Sequence, residues 1–158
     1  MKNLVIGQSG GPTAVINASL YGAVKAFRES GADGHVLGMI NGIEGFLADH
    51  VMDLSTDLSD KELELLKLTP AAYLGSCRYK LPADLDSEVY PAIFDNFREM
   101  NIGYFLYVGG NDSMDTVDKL SRYAEKIGSD VKFIGIPKTI DNDLVLTDHT
   151  PGFGSAAK

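Results

Sequence analysis

The chain has 158 residues, 44% of them hydrophobic and 23% charged, which is the balance of one globular domain with a substantial core. Its net charge of −8 and the absence of a basic stripe argue against nucleic acid as a partner. No apolar run approaches the roughly 20 residues of a membrane helix, the start has no signal-peptide pattern, and the lone Cys77 fits a reducing cytoplasm without a disulfide framework.

Asn3-Leu4-Val5-Ile6 reads as a short buried strand, broken by Gly7-Gln8-Ser9-Gly10-Gly11-Pro12-Thr13. A helical pattern follows, with Val15, Ile16, Leu20, Val24 and Phe27 on one face and Gly31 near its end. Residues 36–40 predict a second strand and residues 52–54 a short edge strand. Ser59-Asp60-Lys61-Glu62 has capping-box spacing and opens a short helix carrying Leu63, Leu65, Leu66 and Leu68. Residues 69–86 look irregular. A helix is expected from about Ser87 to Met100, with Pro91 in its first turn, where a missing N–H costs little.

Tyr104-Phe105-Leu106-Tyr107-Val108 is the strongest strand signal, and a helix follows to about Ile127. Residues 132–136 form the last clear strand, ending at Pro137-Lys138-Thr139-Ile140-Asp141-Asn142-Asp143. Pro151 to Lys158 looks like the start of a further helix, so the chain reads as the front piece of a longer one. Strands alternating with helices predict an α/β fold: a Rossmann-like three-layer lobe with a mostly parallel sheet.

Three polar loops follow three predicted strands, and such loops share one edge of a parallel sheet, where ligands bind. Ser9-Gly10-Gly11 leads into a helix start, which suits a phosphate, although an ordinary glycine turn would read the same. It matches neither the dinucleotide-binding nor the Lys-containing P-loop pattern. Gly109-Gly110-Asn111-Asp112-Ser113 has two readings that can coexist: Asp112 or Ser113 as a plain helix cap, and Asn111 and Asp112 as oxygen ligands for magnesium. Lys138, Asp141 and Asp143 bring a cation and paired carboxylates to one strand end, as a proton-accepting, phosphoryl-transferring site needs. A solvated Asx-rich turn is the plainer alternative.

Arg78 and Lys80 are weaker candidates for phosphate contacts, since an isolated loop cation is usually solvated. Cys77 reads as a buried small residue, His35, His50 and His149 show no metal-ligand spacing, and Tyr73, Tyr79 and Tyr90 read as packing.

Taken together, Ser9-Gly10-Gly11, Gly75-Ser76-Cys77-Arg78, Gly109-Gly110-Asn111-Asp112-Ser113, Pro137-Lys138-Thr139-Ile140-Asp141-Asn142-Asp143 and Thr147 to Gly154 resemble, in order, the motifs of 6-phosphofructokinases. The resemblance implies two Rossmann-like lobes with the active site between them. Residues 1–158 would form the amino-terminal, phosphoryl-donor-binding lobe, the carboxyl-terminal sugar-phosphate lobe being absent. It further implies that Gly10 and Gly11 approach the donor phosphate and that Arg78 lies near the transferring phosphate. Thr139, Asp141 and Asp143 would face fructose 6-phosphate, with Asp141 as the base at its 1-hydroxyl. Asn111 stands where the family usually has a magnesium-associated aspartate, leaving Asn111 and Asp112 as candidate metal ligands.

Asp112 and Lys138 stand where ATP-dependent members usually carry glycine, and they resemble the pyrophosphate-dependent members. The resemblance therefore implies pyrophosphate as donor, Mg²⁺ as cofactor, a reversible glycolytic reaction in the cytoplasm, and a homo-oligomer at full length. The isolated lobe is expected to be inactive. The alternatives are an ATP-dependent 6-phosphofructokinase and a non-catalytic phosphate- or nucleotide-binding module.

Overall fold

The apolar run after Lys2 forms β1 (Asn3–Gln8), buried along nearly its whole length. It is central to a five-stranded sheet in a computed structural model that describes residues 2–158. The remaining strands are β2 (Val36–Met39), β3 (Val51–Asp53), β4 (Ile102–Gly109) and β5 (Lys132–Pro137). Their order across the sheet is β3-β2-β1-β4-β5. Three pairings are parallel, with Ile6 opposite Gly38 on one side and Leu106 on the other. Only β3 runs antiparallel, along β2 at the edge.

Six helices accompany the sheet: α1 (Ile16–Glu29), α2 (Gly42–Leu47), α3 (Asp60–Leu66), α4 (Val89–Glu99), α5 (Asn111–Ile127) and α6 (Phe153–Ala156). The side-chain alternation of the strands splits the core in two. Val5, Phe105, Tyr107 and Phe133 face α2, α4 and α5, where Phe94 and Phe97 fill the layer. Leu4, Ile6, Leu106 and Val108 face α1 and α3. The three-layer α/β reading therefore holds.

Local expectations fare unevenly. The capping box forms: Ser59 Oγ accepts from Glu62 N at 3.3 Å, and Glu62 Oε2 accepts from Ser59 N at 2.9 Å. In α3, Leu63 and Leu66 are buried but Leu65 is exposed, and Leu68, expected in the same helix, lies past its end and is exposed. Helix α2 was not anticipated. It is only six residues long, starts from a left-handed Asn41 and buries Ile43 and Phe46 against the sheet. Its two glycines hide a helical period that Ile43 and Phe46 alone cannot establish. Neither Asp112 nor Ser113 caps α5: the N-cap is Gly110, with no side-chain hydrogen bond. Tyr90 packs as expected, whereas Tyr73 is 42% exposed.

Candidate active site

The chain builds outward from β1 to β2 on one side and then crosses to β4 on the other. The carboxyl ends of β1 and β4 thus flank a topological switch point, the usual ligand crevice of an open parallel sheet. The loops after β1, β4 and β5 meet there. Ser9 N donates to Val108 O at 2.9 Å, and Lys138 N donates to Gly109 O at 2.8 Å. The three loops are held together by backbone, before any ligand arrives.

Two glycines make the close approach workable. Gly10 has φ +74°, a left-handed conformation that side chains other than Asn and Asp rarely adopt. At Gly109 a Cβ would fall 2.0 Å from Ser113 Oγ, so only glycine lets the first turn of α5 fold back onto the strand end.

A fourth segment joins the three. Residues 69–86 are irregular, as expected, but they are pinned. Gly10 N reaches Cys77 O at 3.4 Å, Ser9 Oγ donates to Cys77 O at 3.2 Å, and Ser76 Oγ donates to Gly10 O at 2.6 Å. Deeper, Gln8 and Asn17 are fully buried and hydrogen-bonded at 3.0 Å. Gln8 Oε1 accepts from Leu74 N at 2.9 Å. Asn17 Oδ1 accepts from Tyr73 N at 2.8 Å, and Asn17 Nδ2 donates to Thr69 O at 2.9 Å. These buried amides give an irregular segment the backbone partners it would otherwise lack. They set the position from which Arg78 projects. Sequence reading passed over both; the signal was two amides at a strand end and in a first helical turn, at otherwise apolar positions.

Two hollows result, one on each side of a ridge made by Gly10 and Gly110. The first, about 350 Å³, is lined by Ser9, Arg78, Tyr79, Asn111, Asp112 and Ser113 among others. The second, about 270 Å³, is lined by Gly11, Pro12, Thr13, Lys138, Thr139 and Asp141 among others. A hollow of similar size at the opposite end of the strands, between Phe97, Ile102 and Ile127, uses none of these loops. The ridge, not that hollow, lies at the switch point where open parallel sheets take their ligands.

Most site side chains are exposed, but Lys138 is 7% exposed. Its ammonium donates to Gly11 O, bridging the first and third loops. Burial holds it below the ordinary lysine value, and the nearby Asp141 carboxylate partly restores it. Asp141 N donates to Thr139 Oγ1 at 3.0 Å, which shapes the turn carrying both residues. Asn142, at φ +58°, accepts from Thr150 N at 2.8 Å and ties that turn to the chain beyond. Asn111 Nδ2 donates to Asp143 Oδ2 at 3.3 Å, and Lys80 pairs with Asp112 at 3.2 Å. The residues singled out in sequence are thus divided: Arg78, Asn111 and Asp112 line the first hollow, Lys138, Thr139 and Asp141 line the second, Gly10 lines both, and Asp143 and Lys80 line neither but bond to residues of the first.

No set of three or more His, Cys, Asp or Glu able to hold a metal occurs among the described residues. Asn111 and Asp112 are neighbours in the lining of the first hollow, and their side-chain oxygens are of the type that a hard cation such as magnesium takes alongside water and substrate phosphates.

The sequence and the fold have known relatives. The family model described as Phosphofructokinase matches residues 3–158. The pyrophosphate–fructose 6-phosphate 1-phosphotransferase of Halomonas elongata is 46% identical over 99% of this chain and 38% of its own length. That of Rhodospirillum rubrum is 45% identical over 98% of this chain and 37% of its own. The crystal structure of a pyrophosphate-dependent phosphofructokinase from Nitrosospira multiformis superposes with a TM-score of 0.90 at 44% identity, covering 99% of this chain and 38% of that one. The chain thus spans well under half the length of these relatives. With its fold and nearly its whole length matched, the chain belongs to the phosphofructokinase family.

Proposed function

We propose that this lobe works within a longer chain as the donor-binding half of a pyrophosphate–fructose 6-phosphate 1-phosphotransferase. The observation that carries the reading is the position of Asp112 in one hollow and Lys138 in the other, across the Gly10–Gly110 ridge. Pyrophosphate occupies the Arg78 hollow, close to the Gly10 and Gly11 backbone and the first turn of α5, whose N–H groups favour anions. The Asp112 carboxylate adds bulk and charge where a longer nucleotide donor would continue.

The sugar phosphate approaches from the second hollow, beside Thr139, Asp141 and Asp143. Asp141 takes the proton from the 1-hydroxyl as its oxygen attacks the nearer phosphorus. The new C–O–P link forms, the bridging P–O bond breaks, and inorganic phosphate leaves with the electron pair. Lys138 offsets negative charge on the transferring group from a fixed, partly dehydrated position. Such catalysis rests on alignment, which the backbone ties among the loops provide. Mg²⁺, when bound beside Asn111 and Asp112, would supply charge neutralisation of the donor phosphates. The lone, buried Cys77 and the glycolytic substrates support a cytoplasmic setting, and we include a homo-oligomeric full-length enzyme in the proposal.

The test is donor choice in the full-length enzyme. Turnover with pyrophosphate should exceed that with ATP. Replacing Asp112 and Lys138 together by Gly should raise kcat/KM for ATP relative to pyrophosphate. A wild-type enzyme that prefers ATP refutes the donor assignment.

A further inference from the structure

The donor hollow carries a carboxylate where a polyanion must enter. Asp112 lines it, and a carboxylate that obstructs a longer donor also repels a diphosphate. Beyond any Mg²⁺ that accompanies the donor phosphates, a side-chain cation beside Asp112 offsets its charge without removing its bulk. Lys80 is in position to do so. It follows the lining residues Arg78 and Tyr79 on the segment held by Gln8 and Asn17, and its Nζ stands 3.2 Å from Asp112 Oδ1. The partners lie on separate elements, the 77–82 segment and the first turn of α5, so the contact joins two walls of the site rather than decorating one helix face.

We propose that Lys80 is a donor-specificity residue, acting through Asp112. Together they form an uncharged stop: Asp112 supplies the obstruction and Lys80 the positive charge that lets pyrophosphate lie against it. This rests on the pyrophosphate reading above. With Arg78 the three side chains sum to one positive charge; without Lys80 they sum to zero. Both partners are mostly exposed, 71% and 73%, so water and salt screen the pair and the effect is moderate.

The experiment is a double-mutant cycle in the full-length enzyme, read as KM for pyrophosphate with kcat and ATP use followed in parallel. Lys80→Met should raise KM for pyrophosphate about five- to tenfold, change kcat less than about twofold, and leave ATP use no higher. Lys80→Arg should restore the wild-type KM. In an Asp112→Asn background the Lys80→Met penalty should shrink to less than about twofold, because no carboxylate remains to offset. Raising the ionic strength should shrink it too. An equal penalty in both backgrounds, no penalty in either, or a failure of Lys80→Arg to rescue overturns the inference while the pyrophosphate reading stands. A wild-type preference for ATP overturns both.

Discussion

β1 and β4 lie in the middle of the sheet, with helices on both faces and nearly every residue buried. β5 lies at the edge and alternates between exposed and half-buried positions, and most of the chain after Lys138 is exposed. The site straddles the boundary between these regions. Its donor side, with Gly10, Arg78 and Asp112, is fixed by hydrogen bonds rooted in β1, β4 and the buried amides of Gln8 and Asn17. The proposed acceptor side rides on the loop after β5, where Lys138 is buried but Asp141 and Asp143 stand open. The difference separates two ways of failing: interior changes should cost folding, and changes at the open loop should cost chemistry.

Asp141→Asn in the full-length enzyme gives the largest expected effect. Loss of a general base costs about 10²–10⁴-fold in turnover, or roughly 3–5 kcal/mol of barrier. Because the side chain is exposed, thermal unfolding should shift little and pyrophosphate binding should persist. Steady-state kinetics beside calorimetry check both halves. A lowered unfolding temperature without a kcat loss would reverse the comparison.

Asn17→Ala probes the interior side. It leaves the part-buried Tyr73 N and Thr69 O without their partner and strips Gln8 of one contact. Such orphaned groups cost about 1–3 kcal/mol. Denaturant titration should show that loss, and KM for pyrophosphate should rise as the Arg78 segment loosens. A stability loss with no change in KM would mean that the segment finds its place without the amides.

These residues also mark how far the sequence was legible. The strands and long helices could be read because a buried strand is a run of apolar residues and a packed helix an apolar stripe; Phe105 and Val108, or Leu20 and Val24, say so unaided. The convergence of Gly10, Gly110 and Lys138 was legible too, since a parallel sheet sends the loops after its strands to one edge. Helix α2 was not, because six residues with two glycines carry too little periodicity. Nor was the docking of residues 69–77, which depends on hydrogen bonds between side chains and distant backbone; a Gln or Asn looks the same in sequence whether it points to water or to Leu74 N. The pairing of Lys80 with Asp112 is long-range in the same sense: two exposed charges on separate loops become informative only once their separation is 3.2 Å.

The smallest effect is expected at Ile134, and it tests the edge itself. Ile134 sits opposite Leu106 in the β4–β5 register, on the sheet face that α1 and α3 cover elsewhere. Those helices pack over Leu4, Ile6 and Leu106, leaving Ile134 52% exposed and Tyr104, on the same face, 44% exposed. A half-exposed apolar side chain contributes little, so Ile134→Thr in the 158-residue chain should change stability by less than about 0.5 kcal/mol. Threonine keeps the β-branched shape that suits a strand, which removes backbone propensity as a confounder. Repeating the measurement in the full-length enzyme sharpens the result. If further chain packs on this face, the same substitution there should cost about 1 kcal/mol or more, because a hydroxyl would replace an ethyl group in a covered site. Equal small values in both would show that the β5 face stays open to water and that partner contacts at this edge lie with the loop carrying Asp141 instead.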